Sequence, residues 1–286
     1  MNASSDQGQS VNEIIEPVNR YLHNPIAASV VKILKNTWVT PDQITYTSIF
    51  IGLVSAYIFS SGTIQSFFLA GILLEVVMIL DCVDGQLARE KKCASYWGRL
   101  LDGIAGYIIY LAVLIGIMIG LGKYYVTLVV IGTLTIMRAI SYDYCKLTMT
   151  TMIQKGYDGN QKEISDTYLK VFKTGSIILK AYFYYLQFQR YIFCGQFVSL
   201  DQFDKNNSFD YQNNILIPDQ RKNYRKKNGL LMIVWSWSGV DLPIFLLVMV
   251  SVFGGLEFFL KPIAYFLVLQ FVLTMVYHRM QYSRFF

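Results

Sequence analysis

Residues 64–121 read IQSFFLAGILLEVVMILDCVDGQLAREKKCASYWGRLLDGIAGYIIYLAVLIGIMIGL. They form two apolar segments, 64–82 and 100–121, joined by a short charged connection. Each is about as long as the ~20 residues a helix needs to cross a bilayer's hydrocarbon core. The short connection makes the two predicted helices antiparallel neighbours. Carboxylates gather where they meet: Asp81 and Asp84 at the end of the first, Asp102 near the start of the second. Carboxylates are expensive beside a bilayer, so an ordered set of them there marks a site.

Outward from this stretch, further apolar runs at 42–61, 124–141, 229–253 and 256–277 bring the expected spans to six. Composition agrees. The 286 residues are 54% hydrophobic and 15% charged, where a soluble domain carries about 25% charged residues. Mean hydropathy is +0.38. Lys and Arg gather before the first run (Arg20, Lys32, Lys35), in the connection (Arg89, Lys91, Lys92, Arg99), through 143–228 and after the last run (Arg279, Arg284). The positive-inside rule then places both termini and the acidic connection in the cytosol. The first 37 residues lack the compact apolar core of a signal peptide. The net charge of +6 therefore lies mostly on one face, where it reads as topology signal and as attraction for anionic lipid heads. Nucleic-acid binding is excluded as a reading, because the basic residues flank spans and no nucleic-acid module is present.

The expected fold class is an all-α integral membrane protein: a six-transmembrane-helix bundle with an N-terminal amphipathic surface helix and a long cytosolic insert between spans four and five. Residues 1–38 comprise a tail, disordered over 1–10, and an interfacial helix over 11–36 interrupted near Pro17 and Pro25. Thr40-Pro41-Asp42 opens the first span as N-cap, first helical residue and dipole complement. Residues 39–145 hold spans one to four, and 146–228 the insert. Within the insert, the aromatic-rich 165–195 predicts one or two interfacial helices, with a seventh span as the competing reading, and 200–228 predicts a loop ending in the basic cluster RKNYRKK. Spans five and six and a short tail occupy 229–286. Glu75, inside the second span, either hydrogen-bonds between helices or faces a polar cavity. Cys82, Cys93, Cys145 and Cys194 lack zinc-like spacing and are expected as free thiols. Asn206-Asn207-Ser208 fits a glycosylation acceptor, but the expected topology keeps it from the lumen.

Asp81 and Asp84, three residues apart, share one face of a helix, and Gly98 and Asp102, four apart, share a face of the next. Three carboxylates from adjoining helices converge, and like charges so close need a proton or a cation between them. Mg²⁺ (or Mn²⁺) is the natural neutraliser, since it favours carboxylate and phosphate oxygens and completes its shell with substrate phosphate. Gly85 removes a side chain beside Asp84, Ala88 keeps the face shallow one turn on, and Arg89 offers a guanidinium for phosphate. The inferred ligand is a phosphorylated molecule at the membrane surface.

The run Asp81-x2-Asp84-Gly85-x2-Ala88-Arg89-x8-Gly98-x3-Asp102 resembles the signature of the CDP-alcohol phosphotransferases, integral membrane enzymes of phospholipid biosynthesis that displace CMP from a CDP-linked alcohol. The resemblance covers residues 15–145 and touches the last two spans only by architecture. It implies that Asp81, Asp84 and Asp102 are metal ligands and that Gly85, Ala88, Arg89 and Gly98 shape the pocket for the CDP moiety. It also implies an acceptor alcohol as second substrate, at least one of the two being a lipid, and a homodimer. The family signature ends with a further Asp, held to be the general base, four residues after the third; here that position is Gly106. The alternative reading is accordingly a catalytically impaired relative that binds a CDP-linked ligand as a regulatory or partner subunit. Asp143 is a candidate to approach the site, whereas Tyr107 and Tyr110 are poor bases because a phenol has a pKa of about 10. Arg138 and Lys146 read as interfacial anchors in preference to ligands of a phosphorylated acceptor, and His278 as an interfacial side chain.

Overall fold

The computed structural model of the protein describes residues 14–93, 96–198 and 215–282, and every regular element among them is helical. A π-helical stretch, Asn19–His23, leads into α1 (Asn24–Leu34). Then come α2 (Pro41–Phe59), α3 (Ile64–Glu90), α4 (Tyr96–Leu121) and α5 (Tyr125–Gln154). Two insert helices follow, α6 (Gly159–Thr174) and α7 (Ile177–Cys194), and then α8 (Pro218–Ser236), α9 (Asp241–Val252) and α10 (Leu256–Tyr282). Residues 1–10 and the acceptor tripeptide at 206–208 lie outside the described residues.

Five stretches among the described residues are long and apolar enough to cross a membrane: Ile64–Glu90, Leu101–Leu121, Tyr125–Gln154, Pro218–Val252 and Leu256–Gln281. The first apolar run of the sequence, α2, is not among them. Its 19 residues include Asp42, Gln43, Thr45, Thr47 and Ser48, which dilute its apolar character. The rival seventh span, now α7, is not among them either.

Local signals set the ends of the helices. Thr40 caps α2 in a reciprocal capping box, its hydroxyl accepting from Gln43 N–H at 3.3 Å while the Gln43 side chain accepts from Thr40 N–H at 3.0 Å. α3 ends where Lys92 turns left-handed, with φ 54°, and Cys93 N–H reaches back to the Ala88 carbonyl at 3.0 Å. Two expectations change. The N-terminal segment is not interrupted at Pro25: the preceding turn widens to a π-helix, in which Asn24 N–H bonds the Asn19 carbonyl, and the missing proline N–H is accommodated without a break. The basic cluster 221–227 lies on the first turns of α8, not in a loop, because Pro218 and Asp219 occupy the first turn and Gln220 caps the Ile217 N–H at 3.1 Å.

The helices form two compact units. One comprises Glu16–Met137 and Val240–Gln270. Its core is apolar, built around the buried Phe59, Leu74, Val113, Ile117, Leu128 and Leu267. α2 and α4 meet at small residues: a Cβ on Gly116 would lie 2.1 Å from the Ala56 carbonyl oxygen, and one on Gly120 the same distance from that of Phe59. Glycine four residues apart thus brings the two backbones into contact, which fixes the helix carrying Asp102. A second cluster of Ala27, Val31, Ile44, Val83 and Leu87 packs α1 against α2 and the end of α3 that carries the acidic residues.

The other unit comprises Met1–Ile15, Arg138–Gly239 and Phe271–Phe286. Asp158 caps α6 and pairs with Arg190 at 2.7 Å. Burial opposes the Arg190 charge, but Asp158, Tyr144 and Cys194 beside it hold the guanidinium above its usual range. Arg138 and His278 are not interfacial. Arg138 is fully buried, and its guanidinium donates to the Trp237 and Gly239 carbonyls at 2.8 and 3.3 Å. His278 is buried and accepts from the Trp235 indole N–H at 3.2 Å. Lys146 is exposed and lies over the Tyr142 ring at 5.2 Å, in keeping with an anchoring role. A cavity in this unit, lined among others by Tyr144, Cys145, Met149, Tyr224 and His278, contains none of the signature residues.

The stretch Pro218–Val252 is broken between α8 and α9. Pro243 lacks the N–H that would bond the Gly239 carbonyl in a continuous helix and crowds that carbonyl. Arg138 takes up this carbonyl and that of Trp237, the natural acceptor of Asp241 N–H. In the other unit, Asp241 N–H finds the buried Glu16 carboxylate at 2.9 Å. The named polar groups at the break thus have partners, as burial requires.

Candidate active site

The signature residues sit at facing ends of α3 and α4, in the unit formed by Glu16–Met137 and Val240–Gln270. Asp81 and Asp84 lie on the last turns of α3 because the apolar face of that helix, including Val83 and Leu87, is taken by the α1 and α2 packing. Asp102 lies in the second turn of α4. The side chains of Asp81 and Asp102 hydrogen-bond to each other, and the charges of Asp84 and Asp241 act on Asp81. A carboxyl pair in such contact needs a proton or a cation between its oxygens.

Exposure divides the three. Asp81 is exposed and Asp102 half-buried, so these two line open space. Asp84 is 5% exposed and is fixed from the side: its Oδ2 accepts from the Thr45 hydroxyl at 2.6 Å, and its carboxylate also accepts from Gly85 N–H. Thr45 is buried on α2, so that helix orients a carboxylate of α3. Arg89 is exposed, and its Nη1 lies 3.6 Å from where a Cβ on Gly85 would be, so the guanidinium folds back over the glycine backbone. Ala88 and Gly98 are half-buried on α3 and α4. Gly106 stands one turn beyond Asp102, is exposed, and a Cβ there would meet no atom within 4 Å. Among the described residues, no side chain fills the space beside it.

Among the described residues no group of three or more His, Cys, Asp or Glu side chains is placed to hold a metal ion. The acidic set is open-sided: Asp81 and Asp102 touch, while Asp84 turns toward Thr45. Its donors are all carboxylate oxygens, the set that Mg²⁺ or Mn²⁺ prefers, and an open side is what a cation needs if water and substrate phosphate complete its shell. The residues suit such an ion in donor type, whereas their arrangement as it stands does not form a site for it.

Sequence reasoning left out four residues that frame this site. Thr45 looks like an ordinary polar residue in an apolar run. His23 is fully buried; it bonds Asn19 Oδ1 at 2.9 Å and Glu75 Oε1 at 3.0 Å, which gives Glu75 the hydrogen-bonding role over the cavity role. Glu16 and Asp241 meet as described above. Of these only Asp241 carried a legible signal, a carboxylate inside an apolar run and flanked by Gly239 and Pro243. Tyr110 is buried and donates to the Thr135 hydroxyl at 2.8 Å, Tyr107 is exposed, and Asp143 is exposed in the other unit.

Comparison with known proteins shows the family. A bifunctional IPC transferase and DIPP synthase of Thermococcus kodakarensis is 38% identical over 87 residues, 30% of this chain and 19% of that protein. An archaetidylinositol phosphate synthase of Pyrococcus horikoshii is 35% identical over 117 residues, 40% of this chain and 58% of its own length. The matched stretch thus spans less than two thirds of either relative. The family model for CDP-alcohol phosphatidyltransferase matches residues 38–200, more than half of the chain and all of the acidic run. On that match and on the paired carboxyls of α3 and α4, the chain belongs to the CDP-alcohol phosphatidyltransferase family.

Proposed function

We propose that the protein transfers a substituted phosphate group from a CDP-alcohol to an acceptor hydroxyl, releasing CMP, in a metal-dependent reaction of phospholipid biosynthesis. One observation carries this reading: three carboxyls of the family signature come from two adjoining helices to one open-sided site, with Asp81 and Asp102 in contact and Asp84 held by Thr45. Asp81, Asp84 and Asp102 would hold Mg²⁺ or Mn²⁺, which supplies neutralising charge and Lewis acidity at the pyrophosphate. The acceptor oxygen attacks the phosphorus distal to cytidine, the bond from that phosphorus to the bridging oxygen breaks, and CMP leaves with the electron pair. Arg89 pairs with the phosphates, and Gly85 lets the backbone approach them. The acceptor proton must pass to a group other than residue 106.

Six spans are part of this reading, with α2 as the first, both termini and the acidic site cytosolic, α1 lying at the interface, and the chain dimeric. The name of the archaetidylinositol phosphate synthase points to an inositol compound as acceptor, and the family to a CDP-linked donor, as the first pair to assay. A second reading, a relative that binds a CDP-linked ligand without turnover, is favoured by the open space at Gly106. Purified protein in nanodiscs, supplied with Mg²⁺ or Mn²⁺ and a panel of CDP-alcohols and acceptors, should release CMP. Metal-dependent CDP-alcohol binding with no CMP from any pair would reject the enzyme reading and leave the second.

A further inference from the structure

We propose that α7 docks on the lipid surface, with the exposed aromatic face of Tyr184, Phe188 and Tyr191 set into the boundary between headgroups and acyl chains. This rests on the reading of Tyr125–Gln154, Pro218–Val252 and Leu256–Gln281 as spans, and adds a lipid-binding face that lies outside them.

Helical spacing draws the face. Ile177, Ala181, Tyr184, Phe188 and Tyr191 succeed one another at intervals of four, three, four and three residues, so they line one side of α7. All five are exposed, Tyr184 at 70% and Phe188 at 58%. Phe197 extends the row, its ring stacked on that of Tyr191 at 4.8 Å. Gln187 folds the chain back to bring it there: its amide donates to the Val198 carbonyl at 3.1 Å and accepts from the Val198 N–H at 2.9 Å. Gln187 and Gln189 are both buried. A helix lying against water presents its polar residues outward. Here two glutamines point in and a row of rings points out, which marks a face that meets something other than water.

Three observations make that partner lipid. The first is place. Phe193, next to the end of α7, stacks on Tyr144 of α5 at 4.4 Å and meets Trp235 of α8 and His278 of α10 edge-on at 6.0 and 5.6 Å. Tyr144 lies 19 residues after Tyr125, about 29 Å of helix, and His278 lies 22 after Leu256, about 33 Å. A hydrocarbon core is about 30 Å thick, so α7 is pinned where these helices leave it. The second is ring type, because tyrosine gathers at that level, with its body in the acyl region and its hydroxyl among the headgroups. The third is charge. α7 carries Lys180, which is exposed, and Arg190, with no carboxylate, and this suits the negative surface of anionic lipids.

The test uses the full chain in vesicles of phosphatidylcholine and phosphatidylserine. The photoreactive residue p-benzoylphenylalanine is placed in turn at 184, 188 and 191 and, for reference, at the exposed Lys155. Position 155 lies 30 residues after Tyr125, about 45 Å of helix and well beyond the core. Illumination should raise the mass of the three α7 variants by one phospholipid, with little or no such adduct at 155. Crosslinking to a second copy instead, seen as a doubled mass, overturns the proposal and assigns the face to a dimer. Lipid adducts no greater on α7 than at 155 overturn it as well, since the rings then face water. Alkaline extraction separates this from the reading beneath it. A chain released from the vesicles does not span them and takes the inference down with it, whereas a retained chain without adducts rejects the docking of α7 alone.

Discussion

Replacing Gly106 by Asp separates binding from turnover. The backbone accepts the change: position 106 is helical, its φ is not left-handed, and a new Cβ meets nothing within 4 Å. Aspartate in place of glycine also recovers a few tenths of a kcal/mol of helix propensity. The cost is electrostatic. Residues four apart on a helix have Cβ atoms about 5–6 Å apart, and two unit charges at ~6 Å repel by roughly 3 kcal/mol at an effective dielectric of ~20. Water at this exposed position reduces that figure. Without divalent cation, Gly106→Asp should therefore melt below the parent, and saturating Mn²⁺ should raise its melting temperature by more than it raises the parent's. The gain is kinetic. A positioned general base is worth about 10²–10⁴-fold, or roughly 3–5 kcal/mol of barrier. CMP release measured at saturating Mn²⁺ and CDP-alcohol should rise by about 10²-fold or more. A rate that stays level or falls, in a variant whose Mn²⁺-dependent melting shift has grown, refutes the idea that the absent carboxylate limits turnover and shows a site organised around glycine.

Further variants test the frame of the site. Thr45→Val removes the 2.6 Å hydrogen bond to Asp84 and should weaken Mn²⁺ binding about tenfold, with the loss read in the same resonance titration. His23→Ala strips Glu75 of its partner in a buried setting and should cost about 2–3 kcal/mol of stability, whereas Glu75→Gln, which can still hydrogen-bond the imidazole, should cost less than half of that in the same denaturation assay. Arg138→Ala leaves the Trp237 and Gly239 carbonyls without their guanidinium and should cost about 3–5 kcal/mol, seen as loss of folded protein in detergent. Tyr110→Phe deletes only the hydroxyl contact to Thr135, about 1 kcal/mol, and should leave CMP release unchanged; a large fall would make Tyr110 part of the chemistry.

Much of the site could be read from the chain because its residues are local. Asp81 through Asp102 lie within one helix end, one connection and one helix start, so helical spacing alone brings them to a common boundary. The same holds for Thr40-Pro41-Asp42, whose capping contacts span three residues. What escaped was tertiary. Thr45 matters because α2 packs on α3, and His23 because the N-terminal helix lies along that same span; nothing in their neighbours in sequence announces either. Arg138 was misread for a related reason. A cation near a span's end has the pattern of an anchor, and only the broken stretch far along the chain reveals the carbonyls that hold it. Hydropathy alone does not decide α2: its run is apolar enough to stand out, yet it carries polar groups such as Ser55, whose hydroxyl is spent on the Ala70 carbonyl at 2.8 Å.

The break at 237–240 joins these omissions into one physical argument. Pro243 prevents a continuous helix, so Asp241 begins a new one, and a buried amide and two carbonyls have to be satisfied by side chains from elsewhere. Such an arrangement requires a buried arginine and a buried glutamate in an otherwise apolar chain, each costly if left alone. Replacing Pro243 by Ala should therefore be informative in stability. Alanine restores an N–H and removes the ring that opposes a continuous helix, so a break kept open by the proline alone should close and the variant should melt above the parent. A melting temperature that falls instead refutes this and shows that the open turn is set by the side chains that satisfy it, Arg138 on the carbonyls and Glu16 on the Asp241 amide.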